Sequence, residues 1–235
     1  MAEAVALQPD KQSESMIGNL IRLMFGAVGS KIVMALTGLG LWLFIVAHLA
    51  GNLTVYAGPA TFNKYAMALH EAPQLLWTER VLLLIGFPLH IFFAIRTAML
   101  NRAARPEAYV YANKSRATMA SKSMLLSGLV VLTFLAYHLA HFTYRVTGGA
   151  TDLQTPYEML VAGFQQPLIA LFYIVGQVLL AAHLSHGLYS LFQHLGLWGR
   201  RWTPFIHGFA IFVGYGLCLA FLSIPLSVLF GVIKT

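Results

Sequence analysis

Apolar positions along this chain neither alternate nor recur at intervals; they run on without a break. Five stretches, near 32–55, 75–100, 123–144, 167–193 and 204–230, are almost free of charge, and each is as long as the roughly 20 residues a helix needs to cross a bilayer. A lipid core offers the backbone no hydrogen-bond partner, so such runs are predicted to be helices. The second is the most interrupted, with fifteen uncharged residues between Arg80 and Arg96. Leu75, Leu76 and Trp77 extend it and both arginines can snorkel, so it counts as a span. Connections of about 10–25 residues leave no room for a soluble domain. The expected organisation is a cytoplasmic N-terminal segment over residues 1–23 and one five-span, all-α membrane domain over 24–235.

Composition agrees and removes the other classes. Of 235 residues, 58% are hydrophobic and 10% charged, with a mean hydropathy of +0.71, whereas a soluble domain carries roughly a quarter charged residues. Collagen, coiled coil, intrinsic disorder and a disulfide scaffold are excluded by the same figures. Cys218 is the single cysteine and lies in an apolar run, so there is no Cys-x-x-Cys and no c-type haem attachment motif. The first residues (Glu3, Asp10, Lys11, Glu14, Arg22) lack the pattern of a signal peptide.

A net charge of +7 would suit nucleic acid, but most basic residues flank the apolar runs, where they set topology. Lys11, Arg22 and Lys31 precede the first span. Arg102, Arg105, Lys114, Arg116 and Lys122 fill the second loop, and Arg200 and Arg201 the fourth. The first loop sets Lys64 against Glu71 and Glu79, and the third sets Arg145 against Asp152 and Glu158. Alternate loops are thus basic and face the cytoplasm, which puts the N-terminus inside and the C-terminus outside. Nucleic acid is not an expected partner; membrane lipid is.

Of nine histidines, His48, His90, His138 and His183 lie deep in the first four spans, one in each. An ionisable ring in a bilayer is costly and marks function. His48 and His138 follow Lys31 and Lys122 by seventeen and sixteen residues, roughly 24–26 Å at about 1.5 Å per residue, which is close to the outer face. His90 and His183 follow Gln74 and Gln166 by sixteen and seventeen residues on inward-running spans, so they lie towards the cytoplasm. Two layers result, each drawn from diagonal helices of an up-down four-helix bundle. Paired imidazoles across a bundle interior suit six-coordinate b haem; a zinc or di-iron site wants three or four converging ligands and carboxylates, and no Asp or Glu lies mid-span. His141 and His186 sit three residues beyond His138 and His183 on the same faces, so either could replace its neighbour as ligand. Gly86 and Gly187 are candidates for letting a flat ring approach, and Pro88 for bending the second span. Lys31, Arg96 and Arg145 are candidates for haem propionates, or simply snorkel at the interface.

These features together resemble the dihaem cytochrome b membrane anchor (b558 type) of succinate dehydrogenases and fumarate reductases, that is, of respiratory complex II. The matching strings are Gly29-Ser30-Lys31, Ala47-His48-Leu49-Ala50-Gly51-Asn52, Phe62-Asn63, Pro88-Leu89-His90, Tyr137-His138 and His183-Leu184-Ser185-His186-Gly187-Leu188-Tyr189-Ser190. The resemblance covers the chain from about residue 22. It implies two stacked b haems, the distal one on His48 and His138 and the proximal one on His90 and His183. It also implies a flavoprotein (FAD) subunit and an iron–sulfur subunit on the cytoplasmic face, where the dicarboxylate chemistry resides, and electron transfer to a quinone, menaquinone in this type. Candidates for the quinone site are Asn52, Tyr56, His70, Glu71 and Glu79 near the outer face; Ser30 and Lys31 mark a rival proximal location. Some fumarate reductases of this group carry a glutamate just before the fourth ligand. Here Leu179, Leu180, Ala181 and Ala182 stand there, which implies that quinone reduction is coupled to the membrane potential. The competing readings are a dihaem anchor of a hydrogenase or formate dehydrogenase, and a haem-free transporter using the histidines as a proton relay.

Overall fold

The computed structural model describes residues 16–104, 123–147 and 155–235. Lys11, Arg105, Lys114, Arg116, Lys122 and Asp152 lie outside the described residues. Within them the chain is helical. Helix α1 is Met16–Phe25, α2 Ala27–Leu53 (prolonged by a 3-10 turn, Thr54–Ala57), α3 Pro59–Glu71, α4 Pro73–Ala103, α5 Met124–His138, α6 Pro156–Phe164, α7 Pro167–His194 and α8 Thr203–Leu229. Five of these are long and apolar enough to cross a membrane: α2, α4, α5 with its continuation to Thr143, α7 and α8. They coincide with the five expected spans, α7 and α8 to within one residue at each end, while α2 begins five residues early, at Ala27.

Proline at the first position opens α3, α4, α6 and α7, where its missing N–H has no intrahelical partner to lose. Gly58, at φ 90°, turns the chain from the first span into α3, a conformation closed to most L-residues. The large side chains of the spans face outward: Leu84 is 70% exposed, Phe212 79% and Leu168 82%. Outward-facing leucine and phenylalanine on a long helix are what a lipid solvent selects.

Three short helices occur where sequence pattern indicates only connections. In α1, Met16, Ile17, Leu20, Ile21 and Leu23 form an exposed apolar face that the surrounding charges conceal in a polarity profile. This is the composition of a helix lying along an interface rather than crossing it. Helices α3 and α6 cover the opposite end of the spans. Asn63 Oδ1 accepts from the Tyr157 N–H at 3.0 Å and joins them. The start of α6 is a capping box, in which Thr155 and Glu158 satisfy each other's backbone N–H groups.

Contacts between spans are uneven. Helix α7 lies along α8 most extensively, and α2 along α4. Helix α2 also meets α7, α7 meets α5, and α4 and α5 touch only briefly. The apolar core sits at the α3 end, where Val55, Phe62, Tyr157, Phe164, Tyr173 and Val228 are buried together.

Candidate functional site: two histidine pairs

At the α3 end, the His48 and His138 rings, from α2 and α5, meet edge to face with centroids 5.7 Å apart at 88°. Each stacks on a phenylalanine four residues earlier in its own helix: His48 on Phe44 at 5.3 Å and His138 on Phe134 at 6.1 Å. Phe221 of α8 flanks His48 at 6.1 Å. The His138 Nδ1 is buried without a hydrogen-bond partner, a costly state that an acceptor or a metal would relieve.

His90 and His183 lie nearer the α1 end and within electrostatic range of each other. Each reaches through Nδ1 to the span before its own. His90 Nδ1 is 3.2 Å from the Met34 carbonyl oxygen and 3.3 Å from Thr37 Oγ1. His183 Nδ1 is 3.0 Å from Ser127 Oγ. A glycine follows each hydroxyl residue, and a Cβ there would stand 3.0 Å from His90 Cε1 at Gly38 and 3.5 Å from His183 Cε1 at Gly128. Eleven residues separate Thr37 from His48, and eleven Ser127 from His138, so the layers are about 16 Å apart along the helices. The four histidines thus lie at two levels along the spans, His48 with His138 and His90 with His183.

The neighbours of these ligand candidates face elsewhere. His141 is fully buried but turned towards α6 and α7, with Nδ1 3.1 Å from Tyr173 Oη and its ring against Gly163, where a Cβ would lie 2.7 Å from Nε2. This turn follows from the backbone. After His138 the helix widens into a π-turn, Leu139–Thr143, with the Tyr144 N–H bonded to Leu139 O at 2.8 Å; such insertions re-aim side chains and recur at functional sites. His186 Nε2 is 3.2 Å from Ser190 Oγ within its own helix.

The remaining sequence candidates separate. Ser30 is fully buried and donates to Met24 O at 3.4 Å, so its hydroxyl caps α1 instead of facing a cleft. The Arg96 guanidinium donates to Phe25 O at 2.5 Å and covers the Phe25 ring at 5.1 Å, which anchors α1 against α4. Lys31 is half-buried and within electrostatic range of His194. Arg145 is half-buried at φ 54°, where α5 has ended. Asn52 donates to His48 O at 2.8 Å. Tyr56 donates to Ser223 Oγ at 2.7 Å, which ties the end of α2 to α8. Glu79 is half-buried, and the adjacent Arg80 lies over the Trp77 ring at 5.3 Å. His70 and Glu71 share a groove of about 250 Å³ with Ala66, Met67 and Pro156. Gly86 has Leu41 Cδ2 3.9 Å from its Cβ position, and Gly187 has nothing within 4 Å.

Thr37, Ser127 and Tyr173 are absent from the sequence candidates. The signal for the first two is an internal repeat. Residues 34–50 and 124–140 both read Met-x-Leu-(Thr/Ser)-Gly-Leu-x4-Phe-x3-His-Leu-Ala, identical at eight of seventeen positions at a constant offset of 90. The repeat aligns His48 with His138 and places Gly51 opposite His141. No protein-family model, curated protein or solved structure matches this chain.

Proposed function

We propose that this chain is the dihaem cytochrome b anchor of a succinate:quinone oxidoreductase. In this reading the first four spans form an up-down bundle around two b haems in a prokaryotic cytoplasmic membrane. The N-terminus is cytoplasmic, on the side where an FAD flavoprotein and an iron–sulfur subunit dock, and menaquinone is the electron acceptor. The observation that carries the reading is the pairing of four membrane-embedded histidines, one per span, in two layers about 16 Å apart along the helices. Two separate pairs suit two six-coordinate centres; a zinc site wants its ligands at one point.

The donors fit haem on chemical grounds. His90 Nδ1 faces the Met34 carbonyl oxygen, which can only accept, so Nδ1 carries the proton and Nε2 keeps its lone pair. An imidazole fixed through its other nitrogen is the usual state of a metal-bound histidine. The glycines facing His90 and His183 also belong to such a setting. Haem, when bound, supplies one-electron chemistry whose potential depends on its axial ligands and surroundings. The four histidines would hold that group in two layers, and the apolar spans around them would exclude water. Lys31, Arg96 and Arg145 are the cations near the ends of the spans for propionates, and Asn52, Tyr56 and Glu79 the polar groups for quinone.

The test is purification of the native complex with subunit, flavin and pyridine-haemochrome counts. Two b haems per chain with covalent FAD is the expected result. Two haems with a hydrogenase or formate dehydrogenase partner overturns the choice of complex, and no haem overturns the reading. Replacing His48 or His138 by Ala should abolish one centre, and His90 or His183 the other, while His141→Ala keeps both. An uncoupler should lower succinate:menaquinone activity in intact vesicles.

A further inference from the structure

The repeat places a hydroxyl residue and a glycine on α2 and again on α5, and each pair faces the histidine of the span that follows. In both copies the hydroxyl proton is already committed to its own helix. Thr37 Oγ1 donates to Val33 O at 2.8 Å and to Met34 O at 3.1 Å. Ser127 Oγ donates to Met124 O at 3.0 Å. A hydroxyl has one proton, so each oxygen can only accept from the imidazole it faces. At His90 the Met34 carbonyl can only accept, so Nδ1 carries the proton and Nε2 is bare; at His183 the same tautomer follows as long as Ser127 keeps its bond to Met124 O.

We infer that Thr37 and Ser127 are matched positioning residues which fix the tautomer and ring plane of His90 and His183, presenting two Nε2 lone pairs to one haem between α4 and α7. The inference rests on the dihaem reading. The backbone carbonyls of Met34 and Met124 orient the hydroxyls, the hydroxyls orient the imidazoles, and Gly38 and Gly128 make room for the rings. His48 and His138 are placed differently, by stacking on Phe44 and Phe134, so the two centres are built by different means. The two copies also differ in redundancy: His90 has the Met34 carbonyl as a second acceptor, whereas the acceptor facing His183 is the Ser127 hydroxyl.

An acceptor on Nδ1–H makes the imidazole a stronger donor to iron and so favours the oxidised state; losing it raises the potential. Such partners are worth about 10–100-fold in metal affinity, and a loss that falls tenfold more heavily on the ferric than on the ferrous form raises the one-electron potential by about 59 mV. Redox potentiometry and low-temperature EPR of the purified complex test this in Ser127→Ala, Thr37→Val, the conservative Ser127→Thr and Thr37→Ser, and Thr133→Val as a control, since Thr133 bonds only Leu129 O. Expected is an upward shift of about 59 mV in the centre that His90→Ala and His183→Ala abolish, with an altered ferric signal. The shift should be smaller in Thr37→Val, restored by Thr and Ser, and absent from the other centre. If Ser127→Ala does not assemble, Thr37→Val against Thr37→Ser decides. A wild-type complex with fewer than two haems overturns the dihaem reading itself. A two-haem wild type whose variants keep both potentials and signals, or shift the His48–His138 centre, overturns the positioning role alone.

Discussion

Gly38→Ala and Gly128→Ala are the same chemical change at equivalent positions of the repeat, and the structure predicts opposite results. At Gly38 the new methyl would stand 3.0 Å from His90 Cε1, closer than the roughly 3.5 Å at which carbon atoms are comfortable, so the ring must retreat by a few tenths of an ångström. Both of its Nδ1 bonds point back to α2, at 3.2 and 3.3 Å, already at the long end of N–H···O geometry. Even a few tenths more carries this shared Nδ1–H contact past hydrogen-bond distance, a loss of about 0.5–1.5 kcal/mol net. The helical gain from glycine to alanine, up to about 1 kcal/mol, does not offset that. At Gly128 the methyl would sit 3.5 Å from His183 Cε1, ordinary contact, so the helical gain stands alone. The assay is haem per chain by pyridine haemochrome during detergent washing, together with thermal unfolding of the same samples. Gly38→Ala should lose one centre about tenfold more readily than wild type, and Gly128→Ala should match wild type or unfold slightly later. Equal behaviour, or greater loss in Gly128→Ala, refutes the glycine cradle.

Two further outcomes depend on geometry alone. Gly214→Ala, on α8, would set a Cβ 2.9 Å from the backbone N of Ser185 on α7, forcing the two most closely packed spans apart. A loss of about 1–3 kcal/mol in unfolding is expected, against none for Gly216→Ala, which has nothing within 4 Å. At the start of α6, the backbone N–H and hydroxyl of Thr155 hold the Glu158 carboxyl below its ordinary value of 4.5. Its capping contribution is complete above that value and disappears as pH falls through the lower, folded one, so acid thermal melts should show a pH dependence that Glu158→Gln removes.

Run length and charge position sufficed to find five helices, because a lipid solvent imposes one solution on a long apolar segment. They also separated the four histidines into two depths, since helical rise converts residue number directly into distance. The short helices α1, α3 and α6 were hidden from such counting. Helix α1 carries its apolar residues on one face only, and α6 is ordered by a capping box and by burial against α3 and α7. Ser30 and Arg96 illustrate the opposite limit. Both sit where a ligand-facing role is plausible by position, and α1, invisible in the profile, folds back and accepts one hydrogen bond from each.

Which of His138 and His141 faces His48, and which side chains meet each imidazole, was decided only by tertiary structure. Sequence placed His138 and His141 on one helical face; the π-turn at Leu139–Thr143 rotates His141 away to Tyr173 and leaves His138 beside His48. The hydroxyls of Thr37 and Ser127 lie 53 and 56 residues from the imidazoles they meet, so no local pattern links them, although the repeat marked both positions. A single helix fixes the depth of a side chain, because rise per residue is constant. Which way that side chain faces, and what meets it there, depends on how neighbouring helices pack, and that arrangement is a property of the assembled spans.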